Sequence, residues 1–162
     1  MKALVTGGAG FIGSHVCQRL LACDIKVICL DSLICGRIQN LDEFKKDPGF
    51  TFVQADIRDQ KALESAMKNV NWVFHLAGLA DIVPSIENPS LYFDTNVHGT
   101  LQVLECARKT GINRFLYAAS SSSYGIPATY PTQETAQIDP QYPYALTKYQ
   151  GEELVLHWAK IF

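Results

Sequence analysis

Short, almost unbroken apolar runs alternate along this chain with longer stretches in which apolar positions recur every three or four residues. Lys2 to Thr6, Lys26 to Leu30, Thr51 to Gln54, Trp72 to Leu76 and Arg114 to Ala119 have the length and continuity of strands buried on both faces. Helical spacing predicts Phe11 to Ala22, a short helix near Leu41 to Lys46, and Asp59 to Asn69, with Leu63, Ala66, Met67 and Val70 on one face. The same spacing runs from Leu91 to Lys109 through Val97, Leu101, Leu104 and Ala107, and a last helix from Tyr144 to Lys160. Ile126 to Pro143 holds four of the seven prolines and reads as a loop.

Strands that are apolar throughout and separated by helices predict an α/β fold with a doubly wound parallel sheet. Right-handed crossovers then give the strand order 3-2-1-4-5, with a ligand crevice at the carboxyl ends of the first and fourth strands. No repeat, linker or low-complexity segment divides the chain, so residues 1–162 read as one domain.

Composition narrows the partners. A formal net charge of -2 supplies no electrostatic case for nucleic acid or a membrane surface. No apolar run approaches the ~18 residues of a membrane span. Met1-Lys2 leads straight into Ala3-Leu4-Val5, which reads as a buried strand and not a signal peptide. Cys17, Cys23, Cys29, Cys35 and Cys106 form no Cys-x-x-Cys pair, and the six-residue spacing of the first four crosses a helix, a strand and a loop. They read as free thiols, fitting a reducing cytoplasmic setting, and no metal-ligand spacing appears.

The first strand ends in Thr6-Gly7-Gly8-Ala9-Gly10-Phe11-Ile12-Gly13 and a helix follows at once. One glycine makes the tight turn, one admits a pyrophosphate to the backbone, and Gly13 lets helix and strand pack closely. Free N–H groups and the helix dipole then face the phosphates. No Lys-Ser/Thr follows the glycines, which rejects a nucleoside-triphosphate loop. Asp31 closes the second strand, where a carboxylate accepts both ribose hydroxyls and repels a 2′-phosphate, favouring NAD; Arg37 leaves NADP open. Asp56-Ile57 follows the third strand and suits either an adenine ring or a helix cap. Leu76-Ala77-Gly78 is small or apolar where the backbone passes the cofactor, and Asn96 sits inside a helix for which Asn has low propensity.

Tyr144 and Lys148 are four apart and share one helix face. A free phenol, with pKa near 10, is a poor base at neutral pH. An adjacent ammonium and a nicotinamide cation stabilise the phenolate and bring it into use. Ser120 to Ser123 follow the fifth strand, and Ser120 is placed to hydrogen-bond a reacting substrate oxygen beside the nicotinamide. Ser122 and Ser123 read equally well as a flexible turn. Serine, tyrosine and lysine with a nicotinamide dinucleotide move a carbinol proton while hydride passes between carbon and cofactor.

These segments, in this order, resemble the extended short-chain dehydrogenase/reductase family, and within it the nucleotide-sugar 4-epimerases acting on UDP-sugars. The motifs are Val5 to His15, Leu30 to Leu33 with Gly36-Arg37, Asp56 to Asp59, His75 to Gly78, Asn96 to Thr100, Ser120 to Gly125, and Pro143-Tyr144 with Lys148. The resemblance implies a Rossmann-like fold and NAD as cofactor. Gly7, Gly10, Phe11 and Ile12 would hold the pyrophosphate, Asp31, Ser32, Leu33, Gly36 and Arg37 the ribose side, and Asp56 with Ile57 the adenine. Ala77, Gly78, Tyr144 and Lys148 would line the nicotinamide half, with Ser120, Tyr144 and Lys148 catalytic. Family dehydratases carry an acidic pair after the catalytic Ser/Thr, and related decarboxylases a Glu two after it. Ser121 and Ser122 stand there instead, which favours epimerisation at C4 through a 4-keto sugar. Asp81, Ser85, Ser121 and Ser122 are the substrate-side expectations. Family members are about twice as long, so the C-terminal substrate-binding part is expected to be missing. A homodimer through the helices around Leu91 to Lys109 and Tyr144 to Lys160 is the partner the resemblance suggests. A non-catalytic dinucleotide-binding module and a keto-sugar reductase or dehydrogenase remain open on the residues alone.

Overall fold

The computed structural model describes residues 1–162. Five strands, β1 (Lys2–Thr6), β2 (Lys26–Asp31), β3 (Phe50–Gln54), β4 (Trp72–His75) and β5 (Arg114–Tyr117), form one sheet in the order β3-β2-β1-β4-β5. Every pairing is parallel, with Lys2 opposite Lys26 and Ala3 opposite Trp72 at the start of the central ladders. The doubly wound order expected from the apolar pattern is therefore the one observed.

Each face of the sheet carries its own apolar layer. On one side Leu4, Ile28, Leu30 and Val73 pack against Leu63 and Met67 of α2 (Gln60–Ala66) and its end, and against Val103 and Ala107 of α5 (Gly99–Thr110). On the other, Ala3, Val5, Val27 and Cys29 meet Cys17 and Leu20 of α1 (Phe11–Leu21), with Leu41 and Phe44 closing the layer. Burial on both sides explains why these strands read as continuous apolar runs instead of alternating ones. No helix is long and apolar enough to cross a membrane.

Several elements differ from their expected form. The helix near Leu41 to Lys46 is a 3-10 turn at Ile38–Leu41 followed by turns, because Pro48-Gly49 lies too close for a full helix to propagate. Asp59 lies outside α2 as its cap, accepting from the Ala62 N–H at 3.1 Å. The stretch after Gly78 contains two short helices, α3 (Ile82–Glu87) and α4 (Pro89–Tyr92). Pro84 is harmless in the first turn of α3, where its missing N–H has no intrahelical partner to lose.

The expected continuous helix from Leu91 to Lys109 is α4, then a wide π turn at Phe93–His98, then α5. The π turn surrounds buried Asn96. Its carbonyl accepts from the Thr100 hydroxyl at 2.6 Å, and its side chain is occupied across the fold. A side-chain donor on a helix carbonyl perturbs the regular ladder, and π turns recur at functional sites. β5 ends two residues early, at Tyr117, because its partner β4 ends at His75. The last helix, α6 (Pro143–Ile161), begins at Pro143, whose fixed φ suits the first helical position.

Candidate active site at the carboxyl edge of the sheet

A crevice opens at the carboxyl ends of β1, β2 and β4. Ten expected residues form its wall: Gly7 and Gly10 from the first turn, Asp31, Ser32 and Gly36 after β2, Asp56 and Ile57 after β3, and Leu76, Ala77 and Gly78 after β4. Ile34, Cys35, Leu79 and Thr95 also line it. Sequence reading missed these four because each is placed by a loop or helix turn and carries no required chemistry.

The glycine turn is built by close packing. Gly7 has φ +70, and a Cβ there would stand 2.7 Å from the Ala77 nitrogen. A Cβ at Gly13 would strike the Gly7 carbonyl oxygen and stand 2.7 Å from the Gly8 Cα, so α1 rests directly on the turn. Gly10 caps α1 in an extended conformation with no side-chain bond. The first-turn N–H groups of Phe11 and Ile12 are accordingly without intrahelical acceptors, an anion-binding arrangement. The Phe11 and Ile12 side chains themselves point outward, away from the crevice, and lie beside His15 and Phe74.

Asp31 ties the two phosphate-side loops together. One carboxylate oxygen accepts from the Ala9 N–H at 3.0 Å and the other from the Leu33 N–H at 2.8 Å. Any side chain at Gly36 would meet this carboxylate at 2.7 Å, so the loop closes over it. Leu33 adopts φ 62, and the Arg37 N–H donates to Ala9 O at 3.0 Å. Arg37 thus clasps the glycine turn through its backbone. Asp56 is held by Arg58, whose Nε and Nη2 donate to its two oxygens at 2.9 and 2.7 Å. That guanidinium lowers the Asp56 carboxyl below its usual range and reaches Asp94 of the π turn at 2.6 Å.

Asn96 is not on the crevice wall. Its amide accepts from Leu79 N–H at 2.8 Å and donates to Leu79 O at 3.0 Å and to Thr147 Oγ1 at 3.1 Å. It therefore fixes the crevice loop to α6, one residue from Lys148. Below it lies a buried polar chain. Thr100 uses its proton on Asn96 O, so His75 Nε2–H donates to Thr100 Oγ1 at 2.9 Å, and Thr6 donates to His75 Nδ1 at 2.7 Å. Burial, then the Lys148 charge, push His75 down to about 3. The folded chain thus refuses a proton that the unfolded chain accepts near pH 6.5. Its stability should fall by up to about 1.4 kcal/mol per unit as pH drops from about 6 toward 3. Imidazole nitrogen shifts should report the neutral Nε2–H tautomer throughout that range while the chain stays folded.

Ser120 and Tyr144 meet beyond the carboxyl end of β5, and Lys148 follows one turn along α6 with its Nζ 4.2 Å from the Tyr117 ring centroid. Tyr144 Oη donates to Ser120 Oγ at 3.4 Å, and Ser120 and Ser122 Oγ atoms pair at 2.7 Å. Ser121 to Tyr124 form a 3-10 turn capped by Ser120, so the serine run is ordered local structure. Ser121 is exposed and Ser122 half-buried beside the pair. Asp81, before α3, is exposed. Ser85 is fully buried, and its hydroxyl donates to Ile82 O at 2.6 Å, inside the helix. Lys148 is almost completely buried, and burial lowers its ammonium to about 8. None of the three lines the crevice. A buried cation with a displaced pKa, one helical turn from a phenol that meets a hydroxyl, is a candidate acid/base centre.

The family model for the NAD dependent epimerase/dehydratase family matches residues 3–162. The chain belongs to this family. A UDP-glucose 4-epimerase of Mycolicibacterium smegmatis is 40% identical over 155 residues, covering 94% of this chain and 49% of that protein. A dTDP-glucose 4,6-dehydratase of Streptomyces venezuelae, solved with NAD and TYD, superposes with TM-score 0.94 at 35% identity, over 99% of this chain and 52% of that one. A Thermus thermophilus UDP-glucose 4-epimerase in complex with NAD gives TM-score 0.91 at 34% identity, over 100% and 52%. The chain spans about half the length of the relatives it matches. Epimerase and dehydratase relatives superpose equally well, so the shared part is the Rossmann-like half.

Proposed function

We propose that this chain forms the NAD-binding half of a nucleotide-sugar 4-epimerase, acting on a UDP-sugar. What carries the reading is a glycine-turn crevice at the carboxyl edge of the sheet in a chain whose Tyr144 meets Ser120 beyond β5, with Lys148 one turn further along α6. The α1 N-terminus would hold the pyrophosphate, the Asp31 carboxylate would accept from the ribose hydroxyls, and Asp56 with Ile57 would flank the adenine. NAD, when bound, supplies the hydride acceptor. Tyr144 takes the C4 hydroxyl proton, Ser120 donates to the same sugar oxygen, and the Lys148 charge favours the phenolate. Return of hydride to the other face of the keto carbon, with Tyr144 giving the proton back to the sugar oxygen, would invert C4.

Epimerisation is favoured over dehydration by Ser121 and Ser122, since neither is acidic and so neither supplies the extra acid and base that eliminating water requires. Their hydroxyls, with exposed Asp81 before α3, are offered to the sugar; Ser85, with its hydroxyl turned into α3, acts only by packing. The test is incubation with UDP-glucose and NAD, followed by proton NMR at C4. Formation of the C4 epimer supports the reading. Accumulation of a 4-keto-6-deoxy sugar would assign dehydration instead.

A further inference from the structure

We propose that Tyr117 is a positioning residue for this site, its ring face holding the Lys148 ammonium charged in the absence of a carboxylate partner. The inference rests on the reading of Lys148 as the electrostatic partner of Tyr144. Lys148 Nζ stands 4.2 Å from the centroid of the Tyr117 ring, well inside cation–π range. Nζ makes no ion pair within the chain. The Tyr117 hydroxyl donates to the Lys148 carbonyl at 3.3 Å, so one residue of β5 grips both the backbone and the charge of the same residue of α6.

A second position is fitted to this contact. Gly151, one turn beyond Lys148, is buried inside α6, where glycine costs about 1 kcal/mol relative to alanine. A Cβ at Gly151 would strike the Tyr117 hydroxyl and lie 3.0 Å from its ring carbon Cζ. The glycine leaves the space that the ring occupies. Behind the ring lies neutral His75, its centroid 5.7 Å away.

The chemistry of a ring face suits this place better than a carboxylate would. A carboxylate would stabilise the ammonium but cancel its positive potential at Tyr144. A neutral ring attracts the cation through its quadrupole and carries no net charge, so the field toward the phenol survives. Burial pushes the Tyr117 phenol up, which keeps it neutral. The other ionisable groups that act on Lys148 are Glu152 on its own helix, which favours the charged form without ion-pair contact, and His75 on β4. Asn96 and Thr147, from the π turn and α6, are uncharged.

The experiment is an NMR titration of the chain labelled at lysine Cε, with the Lys148 signal assigned by its loss in Lys148→Met. Tyr117→Phe keeps the ring and removes the hydroxyl, and should leave the Lys148 midpoint within about 0.3 unit of its unaltered value. Tyr117→Leu removes the ring and should lower the midpoint by about one unit, a tenfold loss in the ammonium-to-amine ratio. Replacing Tyr117 by pentafluorophenylalanine, which keeps the shape and reverses the quadrupole, should lower it too, and serves if the leucine variant does not fold. A rise in either of the last two means that the ring is only a wall excluding water. Equal shifts in the phenylalanine and leucine variants mean that the hydroxyl does the work, and no shift in any variant also overturns the proposal. The titration needs neither dinucleotide nor sugar. Failure of the unaltered chain to bind NAD, measured on the same sample, therefore counts against the site reading alone.

Discussion

Gly13→Ala should abolish NAD binding, lowering affinity by at least about 100-fold, because the new methyl has nowhere to go. It would collide with the Gly7 carbonyl oxygen and stand 2.7 Å from Gly8 Cα, both backbone atoms of the turn itself. Overpacking of this kind typically costs about 1–3 kcal/mol in stability. The main consequence is functional, since relief requires α1 to lift from the turn and carry its N–H groups off the pyrophosphate. Gly10→Ala is the informative companion. Its Cβ meets only Gly7 O, at 3.2 Å, so this variant should fold normally and lose about tenfold in affinity through the crevice wall. Calorimetric titration, with circular dichroism as the check on folding, separates the two.

Tyr144→Phe should leave NAD affinity within about threefold and suppress sugar-dependent reduction of the bound cofactor by about 10²–10⁴-fold. The substitution removes one oxygen and keeps the ring and the packing of α6. The lost hydroxyl is the donor to Ser120 at 3.4 Å, so Ser120 keeps its 2.7 Å bond to Ser122 and the turn should not collapse. Absorbance of the reduced nicotinamide after adding UDP-glucose reads the hydride step. Loss of NAD binding in this variant would make Tyr144 a structural residue, and unchanged reduction would place the proton acceptor elsewhere.

Residues whose chemistry or backbone is demanding were legible in the sequence. The glycine turn, Asp31 and the Tyr144/Lys148 spacing each require a particular residue type at a particular offset, and the sheet order follows from apolar runs and crossover handedness. Positions set by tertiary geometry were not. Thr95 and Cys35 reach the crevice because a π turn and a loop place them there, and nothing in their types announces it. Asn96 was recognisable as odd inside a helix, but its partners, Leu79 and Thr147, lie far away in sequence. The π turn itself left the three-and-four spacing of Leu91 to Lys109 nearly undisturbed, so periodicity could not expose it. Gly151 did carry a signal: a glycine in mid-helix marks a close approach, and the ring of Tyr117 is what approaches.

Stability and the proposed function pull against each other at Lys148. An almost buried ammonium lowered to about 8 is a cost to folding at neutral pH, and the proposed role of Lys148 as electrostatic partner of Tyr144 gives a reason to retain it.

The central claim is that the crevice between the glycine turn and Asp31 is an NAD site, and titration of the folded chain with NAD and NADP tests it most directly. The account predicts saturable NAD binding at one site per chain, with NADP at least about tenfold weaker because the Asp31 carboxylate would repel a 2′-phosphate. A folded chain that binds neither dinucleotide, or that prefers NADP, would contradict it.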